Sequence, residues 1–133
     1  MSENIKTVVI TGTSSGFGEG AAKAFADKGY RVWGTMRDID GRNAGKRAAL
    51  EAYSPNVSVL DMDVASDESV AAGFARILAQ GPVDVLINNA GIMYLGITEA
   101  FSITQAKEQM ETNYYGAVRT MQAVLPAMRA AKS

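Results

Sequence analysis

Histidine and cysteine are both missing from the 133 residues. Without cysteine there is neither a disulfide framework nor a thiolate metal site. Without histidine every Ser-His or Cys-His catalytic arrangement falls away, together with the commonest metal ligand, so no metal site is expected. Charge of one sign is scarce too: 13 Lys and Arg stand against 14 Asp and Glu, a net charge of −1. Such a balance builds no field to recruit nucleic acid or a membrane surface. No run approaches the ~18 apolar residues of a membrane span, and Met1-Ser2-Glu3-Asn4 has no apolar signal core. The expectation is a cytoplasmic protein with neither nucleic acid nor membrane as partner.

What is present reads as one ordinary globular domain, residues 1–133, with 47% hydrophobic and 20% charged residues. Short β-branched or apolar runs at Lys6 to Thr11, Arg31 to Met36, Val57 to Asp61 and Val83 to Asn88 predict strands. Helical patterns lie between them, at Gly18 to Lys28, Asn43 to Tyr53 and Ser66 to Ala79. Gly29 ends the first, Ser54-Pro55 closes the second, and Ser66-Asp67-Glu68 caps the third. A long last helix is expected over Ser102 to Met128, opened by a Ser102/Gln105 capping box. Its stripe of Met110, Tyr114, Ala117, Met121, Val124 and Met128, widened by Val118 and Leu125, predicts core packing, and Pro126 predicts a kinked or frayed end.

Strand and helix in strict alternation mean right-handed crossovers, hence a parallel sheet covered on both faces. The fold class is α/β, a Rossmann-like doubly wound sheet in three α/β/α layers with strand order 3-2-1-4. In that order the fourth strand is a bare apolar edge, which proteins normally cover. The chain is therefore expected to be the amino-terminal part of a longer domain.

Between the first strand and first helix stands Thr11-Gly12-Thr13-Ser14-Ser15-Gly16-Phe17-Gly18. A strand that turns through glycines into a helix can cradle a pyrophosphate, because the helix offers unbonded N–H groups and its positive dipole end. The alternative is a plain tight turn. The spacing Gly-x-x-x-Gly-x-Gly, without the Gly-Lys-Ser/Thr of a P-loop, resembles the short-chain dehydrogenase/reductase family. Three further motifs carry the same resemblance: Asp61-Met62-Asp63-Val64 after the third strand, Asn88-Asn89-Ala90-Gly91 after the fourth, and Asn113-Tyr114-Tyr115-Gly116 in the last helix.

The resemblance implies an NAD(P)-binding oxidoreductase that exchanges hydride with a small carbonyl or alcohol. By the same resemblance the turn Gly12, Ser14, Ser15, Gly16, Phe17 and Gly18 binds cofactor, with Ser15 an added hydroxyl donor toward a 2′-phosphate, Asp63 and Val64 meet the adenine, and Asn89, Ala90 and Gly91 let the cofactor ribose pass close by. Asn113 is the residue implied to support a catalytic proton relay. Met36 stands where NAD-preferring members carry aspartate, and Arg37 follows. A guanidinium can grip a 2′-phosphate bidentately, so NADP(H) is favoured over NAD(H). The alternative for Arg37 is a solvated surface residue paired with Asp38 or Asp40.

Members of the family also use a tyrosine with a lysine four residues on. Here the residues four beyond Tyr30, Tyr53, Tyr94, Tyr114 and Tyr115 are Gly34, Val57, Thr98, Val118 and Arg119, so this chain has no such pair and is expected to be inactive alone. Two readings follow, an oxidoreductase seen as its cofactor-binding portion or a non-catalytic dinucleotide-binding or assembly module. Asn113 favours the first. The apolar run Ile92 to Ile97 hints at a hydrophobic substrate, and the long helix, by resemblance, at a homo-oligomer.

Overall fold

The computed structural model describes residues 4–132. Thr7–Ile10 (β1), Arg31–Met36 (β2), Val57–Asp61 (β3) and Val85–Ile87 (β4) make one four-stranded sheet in the order β3-β2-β1-β4. Every pairing is parallel: Val8 stands opposite both Val32 and Val85, and Gly34 opposite Val59.

β1 is buried at all of its positions, as a central parallel strand covered on both faces must be. Successive side chains point to opposite faces. Val8 and Ile10 therefore join Ala22, Ala26 and Leu50 in one core, while Val9 joins Phe74, Ile77 and Val124 in the other. The first core lies under Gly16–Asp27 (α1) and Ala44–Tyr53 (α2), the second under Asp67–Ala79 (α3) and Gly116–Ala131, which is α5 after a short α4 at Ile103–Met110. Three layers result, and the turns that leave the strands' carboxyl ends gather on one rim.

The helix ends follow the sequence signals. Gly29, at φ 86°, ends α1 with its N–H on the Ala26 carbonyl at 3.0 Å. Ser66 Oγ accepts the Ser69 N–H at 3.2 Å, and Ser102 with Gln105 forms the capping box. α1 begins at Gly16, ahead of the expected Gly18, and β1 and β4 are shorter than the runs Lys6 to Thr11 and Val83 to Asn88. A 3₁₀ turn at Thr98–Ala100, unexpected from the sequence, precedes α4.

The last helix departs most from expectation. In place of one helix over Ser102 to Met128, α4 runs into a π turn at Glu111–Tyr115 before α5 continues. One extra residue in a turn rotates all that follows by about 100°. The expected stripe therefore packs only in part: Val124 is buried in the core and Met128 packs against it, but Met110, Tyr114, Met121 and Leu125 are 50%, 53%, 37% and 44% exposed, and the buried line is Gly116, Thr120, Val124. Nor does Pro126 end the helix, which runs on to Ala131. Its ring removes the N–H that would bond the Gln122 carbonyl, and both residues are exposed.

Candidate functional site

The rim at the strands' carboxyl ends is where open α/β sheets bind ligands. Gly12 leaves β1 at φ 71°, a left-handed conformation that side chains resist, and a Cβ there would stand 2.7 Å from Ala90 Cα. Ser15 is the N-cap of α1, yet its hydroxyl makes no capping bond. The N–H groups of Gly16, Phe17 and Gly18 occupy a first turn, where helix geometry supplies no acceptor. Gly18 is buried behind them. A Cβ on it would collide with the Gly12 carbonyl oxygen and come within 2.5 Å of Asn89 Nδ2.

Side-chain hydrogen bonds fix this turn against its neighbours. Thr11 Oγ1 accepts the N–H groups of Asn89 and Ala90 at 3.1 and 3.0 Å, and Asn89 Nδ2 donates to the Gly12 carbonyl at 2.9 Å. Thr13 donates its N–H and its hydroxyl to the Thr35 carbonyl at 2.9 and 3.1 Å. The glycine turn, the end of β2 and the Asn89-Ala90-Gly91 step are thus one rigid piece.

Between these segments opens a cleft of about 560 Å³, within the range of small-ligand sites. The glycine turn contributes Gly12, Ser14, Ser15 and Phe17 to its wall, and Arg37 follows from the end of β2. Asp63 and Val64 enter after β3, and Asn89, Ala90 and Gly91 after β4. Gly16 and Gly18 shape the turn without lining the cleft. Asn113 does not line it either; its neighbour Thr112 does.

Each expected polar residue has a defined partner or none. Asp63 Oδ1 accepts the Ala65 N–H at 2.9 Å while its own N–H donates to Ser69 Oγ at 2.8 Å. This sets the carboxylate and leaves its second oxygen without a donor among the described residues. Arg37 makes no salt bridge among the described residues. The carboxylates that could have taken it are engaged elsewhere: Asp40 pairs with Arg47 at 2.9 Å, and Asp38 accepts the Arg42 N–H at 2.9 Å. Asp38 sits at φ 52°, its N–H on Asp61 Oδ1 at 3.2 Å, and Asn43 Nδ2 donates to the Arg37 carbonyl at 2.5 Å.

That loop carries two residues the sequence reading passed over. Arg42 and Lys46 line the same cleft as Arg37. Arg42 lies before the Asn43 N-cap and Lys46 in the first turn of α2, and no sequence pattern linked the two. Three cations therefore meet at one end of the cleft.

At the other end, Asn113 Oδ1 accepts the Ile92 N–H at 2.8 Å and its Nδ2 donates to the Ile92 carbonyl at 2.7 Å. The amide thereby pins the segment after Gly91. Tyr94 fastens it further, donating its N–H to Gln109 Oε1 at 2.9 Å and its hydroxyl to Glu108 at 2.5 Å. The bond to Glu108 raises the phenol above its ordinary range, with burial and the charge of Glu108 adding to the effect. Met93, Leu95 and Ile97 stand 70%, 81% and 70% exposed between these anchors.

Among the described residues no group of three or more acidic side chains could hold a metal ion, and no helix is long and apolar enough to cross a membrane.

The family model described as short chain dehydrogenase matches residues 6–133. Over 127 residues the chain is 43% identical to retinol dehydrogenase 8 of Homo sapiens, a stretch covering 93% of this chain and 40% of that protein. A short-chain dehydrogenase of Streptomyces avermitilis superposes with a TM-score of 0.91 at 34% identity, covering 99% of this chain and 47% of the other. An NADPH-bound carbonyl reductase from chicken fatty liver gives a TM-score of 0.85 at 26% identity, with coverages of 96% and 50%. The chain thus spans half or less of the length of each of these.

Proposed function

The chain belongs to the short-chain dehydrogenase family, and from that membership we propose that it is the NADP(H)-preferring cofactor-binding portion of an oxidoreductase acting on an apolar carbonyl or alcohol. The observation that carries the preference is the meeting of Arg37, Arg42 and Lys46 at one end of the cleft, with Arg37 unpaired by any described carboxylate. A dinucleotide with a 2′-phosphate adds negative charge there, and three cations with no acidic residue at Met36 favour it.

The other residues fit the rest of the ligand. First-turn N–H groups and the dipole of α1 suit a pyrophosphate over Gly16 to Gly18. Asp63 Oδ2, still without a donor, suits an adenine amino group. The small side chains of Ala90 and Gly91 leave room for a ribose, and Asn89 holds that step on the glycine turn. When bound, the nicotinamide supplies or accepts the hydride. Asn113 keeps the wall beside it in place through Ile92.

The proton donor is the missing part. Four residues beyond Tyr115 stands Arg119, whose guanidinium is bound by Asp67 and Glu111, and these bonds raise its pKa further, so it moves no proton near neutrality. Support for an apolar substrate comes from Met93, Leu95 and Ile97 and from the retinol in the name of a relative.

The test is NADPH oxidation with a panel of apolar ketones, run on the complete protein and on residues 1–133. We expect turnover from the complete protein only, with cofactor bound by both. Turnover by residues 1–133 would refute the account of the missing donor. Binding without turnover by the complete protein would favour a non-catalytic dinucleotide module.

A further inference from the structure

We propose that Arg119 is a positioning residue that locks the π turn and so couples Val64, in the wall after β3, to Asn113. The proposal rests on the reading of the cleft as the cofactor site. Arg119 projects from α5 and reaches three segments at once. Its Nε donates to Asp67 Oδ1 at 2.5 Å, at the start of α3. Nη1 donates to the Val64 carbonyl at 3.0 Å and to the Glu111 carbonyl at 3.4 Å, and Nη2 meets the Glu111 carboxylate. The side chain is only 19% exposed.

The Glu111 carbonyl is the key atom. It accepts the N–H of Gly116, five residues on, which is the bond that defines the wide turn. Arg119 therefore binds the very carbonyl that closes the π turn, and its contact with the Glu111 carboxylate fixes the same residue from its side chain. Asn113 lies inside this turn. Its amide faces Ile92 because the extra residue sets the phase of the helix there. Gly116, at the end of the turn, has no room for a side chain: a Cβ would stand 2.8 Å from Val64 Cγ2. The start of α5 is thus seated on Val64 by shape and tied to it by Arg119.

Val64, Ile92 and Thr112 all line the cleft. One guanidinium consequently sets the distance between the wall after β3 and the wall after β4. A planar group with donors in fixed directions can do this, whereas a lysine ammonium reaches one partner well and the others poorly. Arg119 needs no contact with cofactor or substrate for the role; it acts through Glu111 on Asn113.

The experiment is amide hydrogen exchange on the complete protein, comparing wild type with Arg119→Met and Arg119→Lys. We expect exchange over residues 91–95 to rise about tenfold or more in both variants, with β1 and β2 unchanged, since loss of the lock opens that segment locally. In the complete enzyme Arg119→Met should lower kcat, and adding it to Asn113→Ala should lower kcat no further. The exchange readout does not depend on turnover, so it separates this proposal from the reading of the function. Unchanged exchange over residues 91–95, a uniform loss of protection across the sheet in the well-folded lysine variant, or additive effects on kcat would overturn it.

Discussion

Gly18 shows how much one hydrogen atom decides. A larger residue there meets the Gly12 carbonyl and Asn89 Nδ2, the two partners of the 2.9 Å bond that fixes the turn on the Asn89 step. Gly18→Val should therefore move the first turn of α1 away from the cleft. We predict at least a tenfold weaker Kd for NADPH, with overpacking costing about 1–3 kcal/mol of stability. Circular dichroism and a cofactor titration check this together, and undiminished binding by the folded variant would make the glycine turn a plain turn. Residues such as Gly18 were legible because their chemistry is tied to a short spacing. Arg42 and Lys46 were not, because a cation in a turn or at a helix start is ordinary until the loop before it is known to fold back. That loop depends on Asp38 adopting φ 52° and on Asn43 gripping the Arg37 carbonyl, neither of which has a strong sequence signature.

Among the elements, the sheet and the first three helices were readable from period and punctuation, since each carries its own cap or stop. The last helix was readable in extent but not in phase. A π turn inserts a residue without changing composition, so the apolar stripe predicts a face of which the helix buries only Val124 and part of Met128. The residues that do face the sheet, Gly116 and Thr120, are inconspicuous as core. Thr120 is fully buried, and its hydroxyl donates to Asn88 Oδ1 and lies 2.9 Å from the Ala117 carbonyl. Thr120→Val keeps the shape but removes the donor to Asn88, an exposed residue whose amide oxygen solvent can reach, so we predict a loss of about 0.5–1.5 kcal/mol in denaturant unfolding. An unchanged midpoint would show that the hydroxyl does no more than fill space.

For the whole molecule, the sheet ends at β4, whose residues are half-buried, and a helical face bearing Ile103, Met110, Tyr114, Tyr115 and Leu125 is exposed. Apolar surface and an open strand edge favour association. Residues 1–133 alone should form dimers or larger species by light scattering at micromolar concentration; a strictly monomeric sample would contradict that. The central claim is narrower: the three-cation end of the cleft reads a 2′-phosphate. Calorimetric titration of NADPH and NADH into wild type and Arg37→Asp of the complete protein measures it directly. The account predicts tighter NADPH binding by wild type, and a loss in Arg37→Asp of about 1.5–3 kcal/mol, ten-fold or more in Kd, for NADPH with little change for NADH. Equal affinities in wild type, or a ratio that Arg37→Asp leaves unmoved, would contradict it.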